Sequence, residues 1–143
     1  MTLLQNLLSS SIASLAILAA SPAWAYDFGA NPGPSMVFVT QSSCHFCDRL
    51  DEQVISPLEA SGFFDEQQVD LVRLSIDPGH RVTNFAGEAQ SAVQFASQFG
   101  AYGTPTLLFF DGQGQLTQTP LYGVPDAIDF YGYKIEQAIS GLN

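Results

Sequence analysis

Cys44 and Cys47 are the only cysteines among the 143 residues, and they enclose His45-Phe46. The apolar run Met36-Val37-Phe38-Val39-Thr40 comes just before them, and a segment with helical spacing follows. Two thiols three residues apart in a first helical turn can close to a disulfide, and the unpaired backbone N–H groups of that turn favour an anion. A thiolate is such an anion. A free cysteine thiol has a pKa of roughly 8.5, and a CxxC pair at a helix N-terminus brings it to about 7 or lower. Cys44, at the helix start, is therefore expected to be the nucleophile. Cys47, one turn deeper, is expected to attack a mixed disulfide formed at Cys44 and release the substrate.

Other uses of the same two thiols have to be weighed. A purely structural disulfide across three residues closes too short a loop to remove much unfolded-state entropy, so it would add little stability. Half of a zinc site would need two more ligands, and the remaining candidates are His45 and His80, of which His45 points away if the cysteines converge. Copper(I) held by two soft thiolates, as in a metallochaperone, is chemically reasonable and stays open. Against it, Met1 and Met36 are the only methionines, so neither a nearby thioether nor a third thiolate is at hand.

Alternating elements must position the pair. Tyr26 to Ser35, with two glycines and two prolines, reads as an extended lead-in. Met36 to Thr40 is a continuous apolar run and reads as a buried central strand. Cys44 to about Ala60 reads as a helix with Leu50, Val54, Ile55 and Leu58 on one face, kinked at Pro57. Gly62-Phe63-Phe64 reads as a turn or short helical piece. Val69 to Ile76 is a second strand, ended by Asp77-Pro78-Gly79. Residues 79 to 88 read as loop, and Ala89 to Phe99 as a second helix. Gly103-Thr104-Pro105 then leads into the strand Thr106-Leu107-Leu108-Phe109-Phe110. Asp111-Gly112-Gln113-Gly114 is a hairpin turn, with a returning strand over Gln115 to Leu121. Gly123-Val124-Pro125 opens a last helix, with Pro125 as its first residue. The order β-α-β-α-β-β-α describes an α/β domain with one mixed four-stranded sheet flanked by helices.

Length and an apolar fraction of 46% suit a single domain with an ordinary core. Residues 1–25 stand apart: a short apolar stretch broken by serines runs to Ala19-Ala20, and Ala23-Trp24-Ala25 carries small residues where a signal peptidase reads. We expect a signal peptide cleaved after Ala25, leaving 26–143 as the domain. Met1 to Asn6 holds no Lys or Arg, so an uncleaved anchor is the competing outcome. No cysteine follows the stretch at a lipoprotein position, and no stable membrane association is expected once it is cleaved. Export to the periplasm suits a dithiol pair, because disulfides persist there.

Fourteen acidic against four basic side chains give a net charge of −10, all of it after residue 25. Nucleic acid and anionic membrane are poor partners for such a surface. Seven of the acids fall between Asp48 and Asp70. They read as a solvated face that keeps the protein soluble in preference to a docking surface for a basic partner.

Strand, CxxC, helix, Gly-Thr-Pro-Thr and a Phe-Phe-Asp-Gly-x-Gly hairpin follow in an order that resembles the thioredoxin superfamily, from about Ser35 to Leu142. Within it the chain looks most like exported thioredoxins of the sulfur-oxidation and cytochrome-maturation systems, and like the catalytic domain of periplasmic disulfide isomerases. The resemblance implies a thioredoxin fold and a thiol:disulfide oxidoreductase acting on protein thiols and disulfides, with the Cys44-Cys47 pair as its own redox group and no further cofactor. It implies that Pro105 follows a cis bond beside the cysteines and that the Thr104 backbone pairs with an extended substrate strand. An upstream membrane electron donor is implied as well. Three positions depart from the pattern. Phe38 stands where thioredoxins bury an acid that serves the resolving thiol. His45-Phe46 replaces their Gly-Pro, so these two residues are expected to tune the potential, His45 by stabilising the thiolate when protonated. Arg73 resembles in position a basic residue that thioredoxins keep near the missing acid. Periplasmic isomerases carry an N-terminal dimerisation domain that the residues before Met36 cannot supply, so a monomer is expected. We therefore expect a reductase of partner proteins, with a dithiol oxidase or isomerase as the near alternative.

Overall fold

The computed structural model describes residues 26–143. The expected signal peptide lies outside the described residues.

Two strands carry the centre. β2 (Ser35–Thr40) and β6 (Thr106–Phe110) are antiparallel neighbours, with Phe38 opposite Leu107 and Val37 opposite Leu108. Each is an unbroken run of apolar and small residues because both faces of each strand are covered. β3 (Asp70–Ser75) lies parallel to β2 on its other side, and β7 (Leu121–Tyr122) pairs with β6, giving the order β3-β2-β6-β7. The period of two then sorts the side chains. Met36, Phe38, Leu107 and Phe109 enter one core with both cysteines, and Val37, Val39, Leu108 and Phe110 enter the other.

The cysteine-bearing rod consists of α1 (His45–Leu50), a π-helical turn over Asp51–Ile55, and α2 (Ser56–Ala60). Pro57 does act on it, but through a widened turn just before it. Proline has no N–H for the carbonyl four residues back, and the longer π spacing takes up that mismatch. Leu50, Val54 and Ile55 face the first core as their spacing requires. Arg73 of β3, level with Phe38 in the ladder, reaches over the rod to Asp51 at 3.0 Å and Glu59 at 2.8 Å. α3 (Phe63–Glu66) inserts Phe64 beneath the rod, and α5 (Ile128–Ser140) covers the same face with Tyr131, Ile135 and Ile139.

The opposite face differs from expectation. Residues 79–88 are not all loop, since Arg81–Thr83 forms β4, Ala89–Ser91 forms β5, and Tyr26–Asp27 forms β1 parallel to β4. This three-stranded sheet covers an aromatic cluster in which Phe28 stacks on Phe95 at 4.5 Å beside Phe85 and Phe110. α4 (Ala92–Gln98) starts three residues later than the expected Ala89, because the Ser91 hydroxyl accepts from Gln94 N–H and caps it.

The hairpin return is shorter than expected. Leu116 makes one bridge to Phe110, and regular pairing resumes only at Leu121, opposite Leu107. Pro120 between them has no N–H to offer a ladder, so the segment bulges. The last helix begins at Ile128, three residues after Pro125.

Candidate redox site

Cys44 and Cys47 are joined by a disulfide with their Cα atoms 5.2 Å apart. The chain reaches them from the end of β2 through Gln41, Ser42 and Ser43, and Ser43 takes a left-handed φ of 58°. That turn of the backbone leaves Cys44 extended, as the N-cap of α1. In capping geometry a side chain accepts from the N–H groups of the first turn, and here the acceptor is sulfur: Cys44 Sγ takes Cys47 N–H at 3.2 Å. The same atom receives the Thr104 hydroxyl at 3.5 Å. Both donors suit a sulfur that carries charge when the bond opens.

Thr104 is held for this by the loop before β6. The Thr104-Pro105 peptide bond is cis, the Thr106 hydroxyl donates to the Gly103 carbonyl at 2.7 Å, and Gly123 N–H donates to the Pro105 carbonyl at 2.9 Å. Residues sixty positions apart thus meet at one sulfur.

Burial separates the two thiols. Cys44 retains 9% of its surface and Cys47 only 2%. Phe38 lies in the same core as the pair, so an apolar ring occupies the level where a carboxyl would otherwise sit. The titratable side chain of that core is Tyr131, whose phenol is buried, has no partner among the described residues, and is pushed up to about 12 by burial.

His45 and Phe46 point outward, their rings 5.9 Å apart, with Phe46 55% exposed. Tyr102, two residues before Thr104, is 81% exposed. Tyr122 of β7 fixes the start of this loop by donating its hydroxyl to the Gly100 carbonyl at 3.1 Å. Arg73 does not reach toward the cysteines. It is engaged by Asp51 and Glu59, which hold its guanidinium further toward the charged form. Among the described residues no three or more His, Cys, Asp and Glu side chains group as a metal site.

Sequence reasoning passed over Asp77, which it took only as a turn residue. Its Oδ2 accepts Ser42 N–H at 2.9 Å, the Ser42 hydroxyl at 2.7 Å and the Ser75 hydroxyl at 2.8 Å. A serine pair before the first cysteine, with an acid at the end of the adjoining parallel strand, was the available signal.

A mixed sheet with helices on both faces, a disulfide at the N-cap of the helix after its central strand, and a cis-proline loop against that disulfide together define a thioredoxin-fold redox protein. The match of residues 27–133 to the family of thioredoxin-like domains agrees, and the chain belongs to that family. With its Cys44-Cys47 pair it is a thiol:disulfide oxidoreductase of the thioredoxin-like kind. No curated protein matches its sequence. Among solved structures it is similar to thioredoxin O2 from Arabidopsis thaliana in the oxidised state, with 21% identity, 76% of each chain covered and a TM-score of 0.50. A thioredoxin-fold protein from Helicobacter pylori shares 15% identity over 78% of this chain and 76% of its own, with a TM-score of 0.52. The oxidoreductase DsbH shares 18% identity over the same fractions, also with a TM-score of 0.52. At these identities the likeness is one of fold.

Proposed function

We propose that this protein reduces disulfides of partner proteins outside the cytoplasm, with Cys44 as the attacking thiolate and Cys47 as the resolving thiol. The observation that carries the assignment is the difference between the two sulfurs. Cys44 Sγ is at the helix N-cap with two donors and the larger exposure, whereas Cys47 is sealed beneath it. The Cys44 thiolate attacks one sulfur of the substrate disulfide, forming a mixed disulfide and expelling the other sulfur as a thiolate, which takes up a proton. Cys47 loses its proton and attacks Cys44 Sγ, so the second substrate sulfur leaves and the Cys44-Cys47 disulfide closes. Two electrons pass to the substrate. With Phe38 in the core, the Cys47 proton goes to water or to the leaving thiolate rather than to a buried carboxylate.

Thr104 and Pro105 hold the substrate in this reading. The Thr104 backbone offers an edge to an extended segment, and the exposed rings of Phe46, two residues after Cys44, and Tyr102, two residues before Thr104, supply apolar contact. His45 and Phe46 tune the potential from the solvent side. A monomer recharged by a membrane donor, and secreted by its N-terminal segment into the periplasm, completes the proposal. None of the described helices is long and apolar enough to cross a membrane.

Two experiments decide it. Cys47→Ser is expected to accumulate a mixed disulfide with a protein substrate, and Cys44→Ser to lose the activity; full activity in Cys44→Ser would sink the assignment. The reduction potential of the pair fixes the direction. A value near −270 mV, as in thioredoxin, fits a reductase, and one near −120 mV would make the protein a disulfide donor.

A further inference from the structure

We propose that Asp77 is a positioning residue for the redox pair: through Ser42 it fastens the loop that carries Cys44 to the end of β3, and so holds the reduced Cys44 in place over its donors. The inference rests on the thiol:disulfide chemistry of the pair and not on its direction.

Three donors converge on one oxygen. Ser42 gives Oδ2 both its N–H and its hydroxyl, and Ser75, the last residue of β3, gives its hydroxyl. The carboxylate is itself fixed. Asp77 N–H donates to the Ser75 hydroxyl at 3.3 Å, Ile76 N–H donates to the Thr40 carbonyl at 2.9 Å, and His80 N–H donates to the Asp77 carbonyl at 3.2 Å. Hydrogen bonds from Ser42 and then Ser75 hold the Asp77 carboxyl below the usual carboxylate range, with the His80 charge acting in the same direction. Asp77 is therefore an anion at neutral pH. The loop it grips needs such a grip, since Ser43 is a non-glycine residue in the left-handed region, a conformation kept only where the surroundings enforce it.

The tether matters unequally in the two redox states. While the disulfide is closed, the bond to Cys47 already holds Cys44 against α1. Once it opens, only the backbone keeps Cys44 Sγ near Cys47 N–H and the Thr104 hydroxyl, and the backbone is what Asp77 secures. Loosening the loop thus costs the reduced form more than the oxidised form. The disulfide then becomes harder to reduce, and the Cys44 thiol harder to ionise.

Charge acts separately, because a carboxylate near a thiolate opposes its ionisation. Asp77→Asn and Asp77→Ala both lack the charge, but asparagine keeps an acceptor for Ser42 and alanine does not. The difference between them therefore reports the tether. On the purified protein we would measure the equilibrium constant against glutathione, the pH profile of Cys44 alkylation by iodoacetamide, and thermal unfolding. Relative to Asp77→Asn, Asp77→Ala is expected to favour the disulfide about tenfold, which is about 30 mV toward more negative potential, and to be alkylated more slowly at neutral pH. Ser42→Ala, which keeps the charge and the backbone donor, is expected to move both in the same sense, by less, relative to the unaltered protein. Equal constants and equal alkylation profiles for the two Asp77 variants would overturn the proposal, even if the alanine variant melted earlier. Should Asp77→Ala fail to fold, an unchanged constant in Ser42→Ala would overturn it instead. Neither chemical readout involves a partner protein, so the result does not depend on whether the protein reduces or oxidises its partners.

Discussion

At Cys44 the sulfur has two protein donors, Cys47 N–H and the Thr104 hydroxyl. The first belongs to the helix and cannot be removed without disturbing it. The second can be deleted almost isosterically. Thr104→Val is expected to raise the Cys44 thiol pKa by about one unit, since a hydrogen bond to an anion is worth about 1.5 to 3 kcal/mol at good geometry and this one is long. Alkylation of Cys44 at neutral pH should slow by up to about tenfold, and an unchanged profile would remove Thr104 from the thiolate's environment. Tyr131 invites the opposite kind of test. Its hydroxyl is buried without a partner among the described residues, and such a group is costly to bury. Tyr131→Phe should therefore raise stability by about 1 kcal/mol in urea unfolding. A loss of stability would show that the hydroxyl has a partner in solution.

Two elements depend on contacts that a single substitution can break. Gly114 has a φ of 74°, and a Cβ there would lie 2.7 Å from the Phe85 ring. Gly114→Ala should destabilise the domain by about 2 kcal/mol, because a left-handed alanine is strained and the ring belongs to the aromatic cluster under the second sheet. Chemical denaturation would measure it. The rod is fastened differently, by Arg73 across its widened turn. Partial burial works against the Asp51 carboxylate, yet hydrogen bonds from Arg73 and Ser56 and the Arg73 charge bring the carboxyl below its ordinary value. A depressed value in the folded state gives stability that is present above the unfolded value of about 3.9 and is lost as pH falls through the folded one. The pair is about a third open to water, so its worth is about 0.5 kcal/mol. Asp51→Asn should lower stability by that amount at pH 7, and the gap to the unaltered protein should close below about pH 4 and shrink in high salt.

For the molecule as a whole, the net charge of −10 governs encounter before it governs anything at the disulfide. A strongly anionic protein meets cationic partners faster than anionic ones, and salt screens the difference. Disulfide peptides with flanking lysines should thus be turned over faster than equivalent peptides with flanking glutamates. The ratio should fall as ionic strength rises from about 0.01 to 0.15 M, over which the screening length drops from about 30 Å to about 8 Å. A ratio insensitive to salt would place selectivity in short-range contacts such as Phe46 and Tyr102.

Residue order by itself determined the central architecture and the reactive pair. Met36 to Thr40 read as a strand buried on both faces and Thr106 to Phe110 as a strand, and a CxxC between strand and helix could hardly serve anything but thiol or metal chemistry. Local physics sufficed there, because apolar periodicity and a three-residue spacing act within one or two turns of chain. Tertiary structure decided what depended on distant partners. Tyr26–Asp27 and Arg81–Thr83 are too short to announce themselves and become strands only by pairing, with each other and, for Arg81–Thr83, with Ala89–Ser91. Pro120 turned an expected strand into a single bridge, and Ser91 set the start of a helix that was expected from Ala89. At the site itself, the Thr104 hydroxyl on Cys44 and the Asp77 carboxylate on Ser42 join residues 60 and 35 positions apart. Hydrogen bonds across such separations exist only once the sheet has set β2, β3 and β6 side by side, so no pattern along the chain could have placed them.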